Sequence, residues 1–503
     1  MILSLVLAYL VAPVRSLPIP AKIGWLFGLI PVIRRSSLSI SNTRKRQRAF
    51  IDFFIDPEYY RRLFKLGFPI ALQQLIMSSL NMVGVVMVGQ LGAASVAAVG
   101  LANQIFFLLN LLIFGITSGC AMFTAQLWGK KDIPNIRKVL GLALTLGLFA
   151  ATVFLVIAEF FPGGALGVFS ADNQVIALGS SYLRIMGFTF ILYAISMSFS
   201  SVLRSTGDVQ TPLVVTITAL SVNTLLSYIL IFGKLGVPVL GVNGAALALL
   251  VSRLLECGIL LGLVYRKGSP AAGKLRDLFS FDFAFARKVL KPALPVVANE
   301  FLWSTGISAY SVAYARISTD AIAAMNIAVS IDNMAFILIY GLGHACAIMV
   351  GNRIGEGDEP QAFRYALRTM ILGMLTAVLV GSIILASAGS VLTLYNVAPA
   401  VIDYAHHVLV IIGLLLWLRS SNMILFIGVF RSGGDTRFAF ILDGVIIWVV
   451  GVPLVFAGAF VFHLPVYWVY LLAMSEELTK WLLGMYRFFS RKWIHNLATA
   501  VAG

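Results

Sequence analysis

Apolar residues dominate this chain in long blocks, and the polar residues between them come in short clusters. The blocks fall at about 67–90, 95–128, 138–160, 175–203, 211–233, 241–265, 291–316, 320–352, 364–389, 399–430, 437–460 and 463–489. A helix needs roughly 20 residues to cross about 30 Å of hydrocarbon, whereas a barrel strand needs only about 9 to 11. Lipid offers no partner for a backbone amide, so blocks this long predict twelve membrane-spanning α-helices. Several exceed the hydrocarbon thickness and are expected to tilt or protrude.

The pattern repeats. A shift of 226 residues (291 − 65) lays Lys65 on Lys291, Pro69 on Pro295, Gly115 on Gly341, Cys120 on Cys346, Gly129 on Gly355, Asp132 on Asp358 and Pro134 on Pro360. One residue of drift later, Arg204-Ser-Thr-Gly-Asp208 meets Arg431-Ser-Gly-Gly-Asp435. Matches of Leu, Val and Ile are cheap in so apolar a chain, but Cys, Pro, Gly and Asp landing together at one offset indicate an internal duplication. Six spans per copy is an even number, so both copies enter the membrane in the same direction. The predicted fold is an all-α integral membrane protein with twelve transmembrane helices in two parallel six-helix repeats, related by an axis along the membrane normal, with a cavity between them.

Composition agrees, with 60% hydrophobic and 12% charged residues and a mean hydropathy of +0.94, against about a quarter charged in a soluble domain. The net charge of +16 invites a nucleic-acid partner, but its placement excludes one. Lys130, Lys131, Arg137 and Lys138, the run between Arg266 and Lys291, Arg364 and Arg368, Arg431 and Arg437, and Arg487, Arg491 and Lys492 all fall on one side of the membrane. The opposite loops offer only Lys234 and Arg316. By the positive-inside rule both termini lie in the cytoplasm of a multi-pass protein of the cell (inner) membrane.

The expected organisation is an N-terminal extension (1–57), an N-terminal lobe (58–265), a cytoplasmic linker (266–288), a C-terminal lobe (289–490) and a cytoplasmic tail (491–503). The extension has apolar runs at 1–14 and 23–33, each shorter than a span and broken by Pro13, Pro18, Pro20 and Pro31. No basic region precedes the first, so a cleaved signal fits poorly. A surface-lying or disordered segment, basic from Arg34 to Arg48, suits the anionic inner leaflet; a misassigned start codon is the alternative. Cys120, Cys257 and Cys346 sit inside spans without metal or thiol-redox spacing and read as small buried apolar residues.

Carboxylates deep in a bilayer cost about 2.5 to 3.5 kcal/mol on insertion scales, so those present are functional candidates. Glu300 lies nine residues into its span, roughly 13 Å at 1.5 Å per residue. Asp332 arrives near the midplane on the next span, and Asp443 sits shallower on the eleventh. Their mates in the first repeat are Gln74, Phe106 and Thr216, so the scaffold does not require an acid there. A buried acid satisfied by Asn299 or a backbone amide is the competing account of Glu300. Asn299 and Asn333 join the ion-coupling set, and Gln73, Gln74, Asn81, Trp303, Tyr310, His344 and Arg184 are cavity-lining candidates. Trp303, Tyr310 and Phe336 offer cation–π contacts of about 0.5 to 2 kcal/mol. Glu256, one turn after Arg253, reads as locally neutralised, and the two Arg-x-x-Gly-Asp segments read as helix caps and cytoplasmic turns. Midplane charges outside local pairs then look mainly acidic, which favours cationic substrates. No catalytic dyad, phosphate loop or metal cluster is visible, so an enzyme is not expected.

Asn81-Met-Val, Met87-Val-Gly-Gln-Leu-Gly92, the stretch from Gly115 to Gly129, Arg204-Ser-Thr-Gly-Asp208, Asn299-Glu300 with Trp303, and Arg431-Ser-Gly-Gly-Asp435 resemble the multidrug and toxic compound extrusion (MATE) transporters over about residues 58–490. That resemblance, NorM- and DinF-like, implies export of organic cations or amphiphiles in exchange for Na⁺ or H⁺ by alternating access. It implies a monomer in lipid with a small-molecule cationic substrate, no cofactor, and Na⁺ at Glu300 as one option. NorM-type members carry a glutamate eight residues after a proline, which here is Trp303, one turn beyond Glu300. DinF-type members carry an aspartate where this chain has Gly84, and the tenth-span aspartate of NorM-type members has no counterpart between Leu409 and Phe430. Both ions therefore stay open. A lipid-linked oligosaccharide flippase, which wants a cationic cavity, and a membrane-embedded enzyme are the alternatives.

Overall fold

The computed structural model describes residues 56–502, so the surface segment expected within residues 1–50 lies outside them. Twelve long helices follow in order: α1 (Pro57–Gly89), α2 (Ala93–Gly129), α3 (Ile133–Phe160), α4 (Asn173–Ser205), α5 (Gln210–Phe232), α6 (Gly241–Arg266), α7 (Phe283–Ile317), α8 (Thr319–Glu356), α9 (Glu359–Leu392), α10 (Pro399–Arg431), α11 (Thr436–Val461) and α12 (Val466–Phe489). Ten are long and apolar enough to cross a membrane by composition, and α7 and α12 complete the set of twelve.

The duplication is visible in the helix starts. Pro57, Ala93, Ile133 and Asn173 open α1 to α4, and 226 residues on Phe283, Thr319, Glu359 and Pro399 open α7 to α10. The repeat-matched Asp132 and Asp358 are both N-caps, accepting from Asn135 N at 3.2 Å and Gln361 N at 3.1 Å; each satisfies an otherwise orphaned amide. The one-residue drift after that has a local cause. The last turns of α10, Ile424–Arg431, are π-helical, and a π turn takes up one residue more than an α turn. α11 is likewise interrupted by π segments at Phe440–Val445, Ile447–Gly451 and Ala457–Val461. α7 begins at Phe283, inside the linker expected from hydropathy, because Asp282 accepts from Phe285 N at 2.8 Å and starts the helix in polar sequence.

Four apolar cores show how the repeats meet. Toward the end without basic loops, one core is built from α2, α3, α4 and α6 with the short helix Pro162–Gly167, around Leu109, Phe190 and Ala246, and another from α7 to α12, around Tyr314, Val408 and Val469. At the basic-loop end the cores mix: Tyr59, Leu63 and Val209 join Met349, Phe430 and Trp493, while Phe123 and Leu140 join Phe285 and Val289. The repeats therefore share their cores at the basic end and part toward the other.

The shared end depends on small residues. A Cβ on Gly341 would stand 2.6 Å from the Gly67 carbonyl oxygen, so α1 and α8 touch backbone to backbone. Nearer the other end of α1, a Cβ on Gly84 would meet nothing within 4 Å. The tail expected beyond residue 490 is built into this junction. Trp493 is fully buried, His495 N donates to Gly433 O at 2.8 Å, and Asn496 Nδ2 donates to Ile354 O at 3.0 Å. Gln126 of α2 completes it, donating to Ser432 O at 2.8 Å and accepting from Leu497 N at 2.6 Å.

Candidate functional site

The buried acids do have partners, and the partners are cations from other helices. Glu300 Oε1 lies 2.6 Å from Arg431 Nη2. Asp332 Oδ2 lies 2.7 Å from Arg419 Nη1, and the Arg419 guanidinium also sits 5.2 Å from the centre of the Phe336 ring. Asp443 Oδ1 lies 3.1 Å from Lys480 Nζ, and its Oδ2 accepts from Asn299 Nδ2 at 2.9 Å. The expectation of mainly acidic midplane charge is thus corrected: it took no account of Arg419 and Lys480 and counted Arg431 as a loop charge, and Phe336 is already engaged by an internal cation. Arg253 does pair locally with Glu256, at 2.6 Å, as the one-turn spacing predicts.

Lys480 is fully buried and holds together the larger cluster. Glu476 Oε1 is 3.5 Å from its Nζ one helical turn earlier, and Glu477 accepts from Asn422 Nδ2 at 2.6 Å. Tyr310 from α7 reaches the same place, its hydroxyl facing Glu476, and the side-chain oxygens of Asn299 and Asn422 are buried without hydrogen-bond partners. Asp443, Glu476 and Glu477 make three carboxylates against one ammonium. Among the described residues no three His, Cys, Asp or Glu side chains converge on a metal-sized site. A cation held here would need the amide and hydroxyl oxygens as well.

A second polar region lies between the repeats, in a cavity of about 90 Å³ running from the basic end toward the middle of α1 and α2. Its apolar wall includes Ile70, Phe114 and Met197, and its polar wall includes Arg204, Arg431, His344 and Ser118. The Arg-x-x-Gly-Asp segments thus divide their labour. Asp208 caps a turn, accepting from Thr211 N at 3.0 Å, and Asp435 pairs with Arg487 at 2.7 Å. Each arginine instead turns into the cavity, which corrects the reading of the whole motif as a surface turn.

The remaining candidates divide. His344 lines the cavity and packs against Tyr340, ring centres 4.2 Å apart. Gln73 is engaged within its own repeat, donating to Thr216 at 2.9 Å, and Gln74 is partly buried on α1. Trp303 is 40% exposed on α7, and Asn81 and Asn333 are exposed. Arg184 is exposed on α4, on the face of Phe188, and does not line the inter-repeat cavity.

The sequence of these two repeats matches one family description, MatE, twice, at residues 69–229 and again at 295–457. The chain belongs to the MatE family. The two MatE matches begin 226 residues apart, the register of the repeat (295 − 69). A probable multidrug resistance protein NorM of Thermotoga maritima is 23% identical over 444 residues, covering 87% of this chain and 94% of its own. One from Rhizobium meliloti is 29% identical over 419 residues, covering 80% and 87%. Among solved structures, one described as the outward-facing conformation of a multidrug resistance MATE family transporter of the MOP superfamily superposes with a TM-score of 0.77 at 20% identity, over 86% of this chain and 96% of that one. Membership in MatE makes this chain a multi-pass membrane transporter of the multidrug efflux family, with small molecules as its substrates.

Proposed function

We propose that the chain is a secondary antiporter of the inner membrane, exporting organic cations or amphiphiles in exchange for Na⁺ or H⁺ by alternating access, with the basic end and both termini in the cytoplasm. The observation that carries this reading is the excess of carboxylate around Lys480. Three acids stand against one lysine, and adding Asp332 with its partner Arg419 leaves the excess at two. Uncompensated charge inside a lipid-surrounded bundle is costly, and a bound proton or Na⁺ removes that cost. The cluster joins α7 through Asn299, α11 through Asp443, and α12 through Lys480. Gaining or losing the ion changes what ties these helices together, and a ligand that favours one arrangement over another is what coupling requires. Glu300, tied to Arg431, enters as a switchable contact between α7 and the end of α10, and Asp332 with Arg419 as a second one.

The test uses full-length protein in lipid vesicles, with Na⁺ and H⁺ gradients imposed separately and uptake of a fluorescent organic cation followed. One gradient is expected to drive accumulation, and Asp443→Asn combined with Glu476→Gln to reduce it at least about tenfold, a change of 1.4 kcal/mol, while the protein still inserts. Dye movement indifferent to both gradients, or a double variant as fast as the parent, would sink the reading.

A further inference from the structure

The duplication pairs every group of one repeat with a mate in the other, and at the inter-repeat cavity one mate is missing its charge. Arg431 and Arg204 are repeat mates, and both line that cavity. Arg431 is neutralised by Glu300 at 2.6 Å. The position matching Glu300 in the first repeat is occupied by Gln74, which has no charge to give. Arg204 accordingly has no carboxylate partner among the described residues. Its own motif acid, Asp208, is spent on capping Thr211. A guanidinium does not shed its proton in a protein, and a charge in a membrane bundle without a partner is expected to have one in the working state.

We propose that the cavity binds an oxyanion, a carboxylate or phosphate group carried by an amphiphilic substrate, against Arg204. The surroundings suit that group. Arg431, held by Glu300, donates to the Ser118 hydroxyl at 3.4 Å on the same wall. His344 stands beside both arginines, with Nε2 buried and unpartnered. A volume of about 90 Å³ is that of roughly three water molecules at about 30 Å³ each, enough for an anionic head but not for a whole amphiphile. The apolar remainder would lie along Ile70, Phe114 and Met122, toward the end where the repeats part. The oxyanion would then sit where the shared cores close the molecule, and its presence would favour one arrangement of the repeats over another. This deepens the efflux reading and rests on it for the direction of transport, but not for binding.

The experiment measures binding at equilibrium, with no gradient, so that a failure of ion coupling leaves it intact. Full-length protein in phosphatidylcholine nanodiscs is titrated with three matched fluorescent probes: pyrenebutyrate, pyrenebutanol and pyrenebutyl-trimethylammonium. Pyrenebutyrate should bind at least about tenfold more tightly than the neutral alcohol, which is 1.4 kcal/mol. Arg204→Gln should abolish the advantage and Arg204→Lys retain part of it. Repeating the titration in nanodiscs containing phosphatidylglycerol separates the two sources of oxyanion: an advantage that persists assigns the site to soluble amphiphiles, and one that disappears assigns it to a lipid headgroup phosphate. If the parent binds the acid and the alcohol equally in phosphatidylcholine, or the advantage survives in Arg204→Gln, there is no oxyanion site. The comparison of probes on the parent decides the matter even if Arg204→Gln does not fold.

Discussion

Glu300 on α7 and Arg431 at the last residue of α10 form an ion pair at 2.6 Å, with 11% and 8% of their side chains exposed. Removing one member of such a pair leaves the other charge buried alone, which costs about 3 to 5 kcal/mol, whereas removing both is often nearly neutral. Glu300→Gln is therefore expected to lower the thermal midpoint in detergent clearly, and Glu300→Gln with Arg431→Gln to recover most of the loss. A single variant that melts with the parent would mean that the pair contributes nothing.

The contact between Gly67 and Gly341 sets how closely α1 and α8 approach. Gly341→Leu places a side chain where a bare Cβ already falls 2.6 Å from a carbonyl oxygen. Overpacking of this kind typically costs about 1 to 3 kcal/mol. Spin labels on α1 and α8 at the basic end should report a longer separation, and Gly84→Leu, which meets nothing within 4 Å, should leave it unchanged. Equal distances in both variants would remove the glycine contact from the account of closure.

The tail joins both repeats at the same end, through Gln126 on one side and Ile354 and Gly433 on the other. Trp493 is fully buried there, its Nε1 donating to Phe488 O at 3.0 Å. Trp493→Ala opens a large cavity at a cost of about 3 to 5 kcal/mol, and protease sensitivity of the 266–282 segment should rise with it. Unchanged proteolysis and an unchanged melt would make the tail a passive appendage.

What the sequence settled by itself is whatever depends on counting along one chain. Span length follows from the hydrocarbon thickness, so twelve helices and their order could be read from the apolar blocks. Duplication showed because Cys120 and Cys346, or Asp132 and Asp358, keep one offset whatever the fold does. The absence of an acid at Gln74 follows from alignment of the repeats alone.

Only the tertiary structure decided which charges neutralise which. Glu300 and Arg431, Asp332 and Arg419, and Asp443 and Lys480 are separated by 131, 87 and 37 residues, and their meeting depends on how neighbouring helices are rotated. The π turns in α10 and α11 change that rotation by one residue at a time, a shift hydropathy does not register. Lys480, one turn after Glu476 in an otherwise apolar block, was the one partner with a local signal. Arg204 and Arg431 sit at the polar ends of their helices, where a linear reading counts them as loop charges. Their side chains turn inward because the small-residue contact of the repeats leaves a cavity at that depth, and the sign of a cavity is a sum over helices that no single stretch of sequence contains.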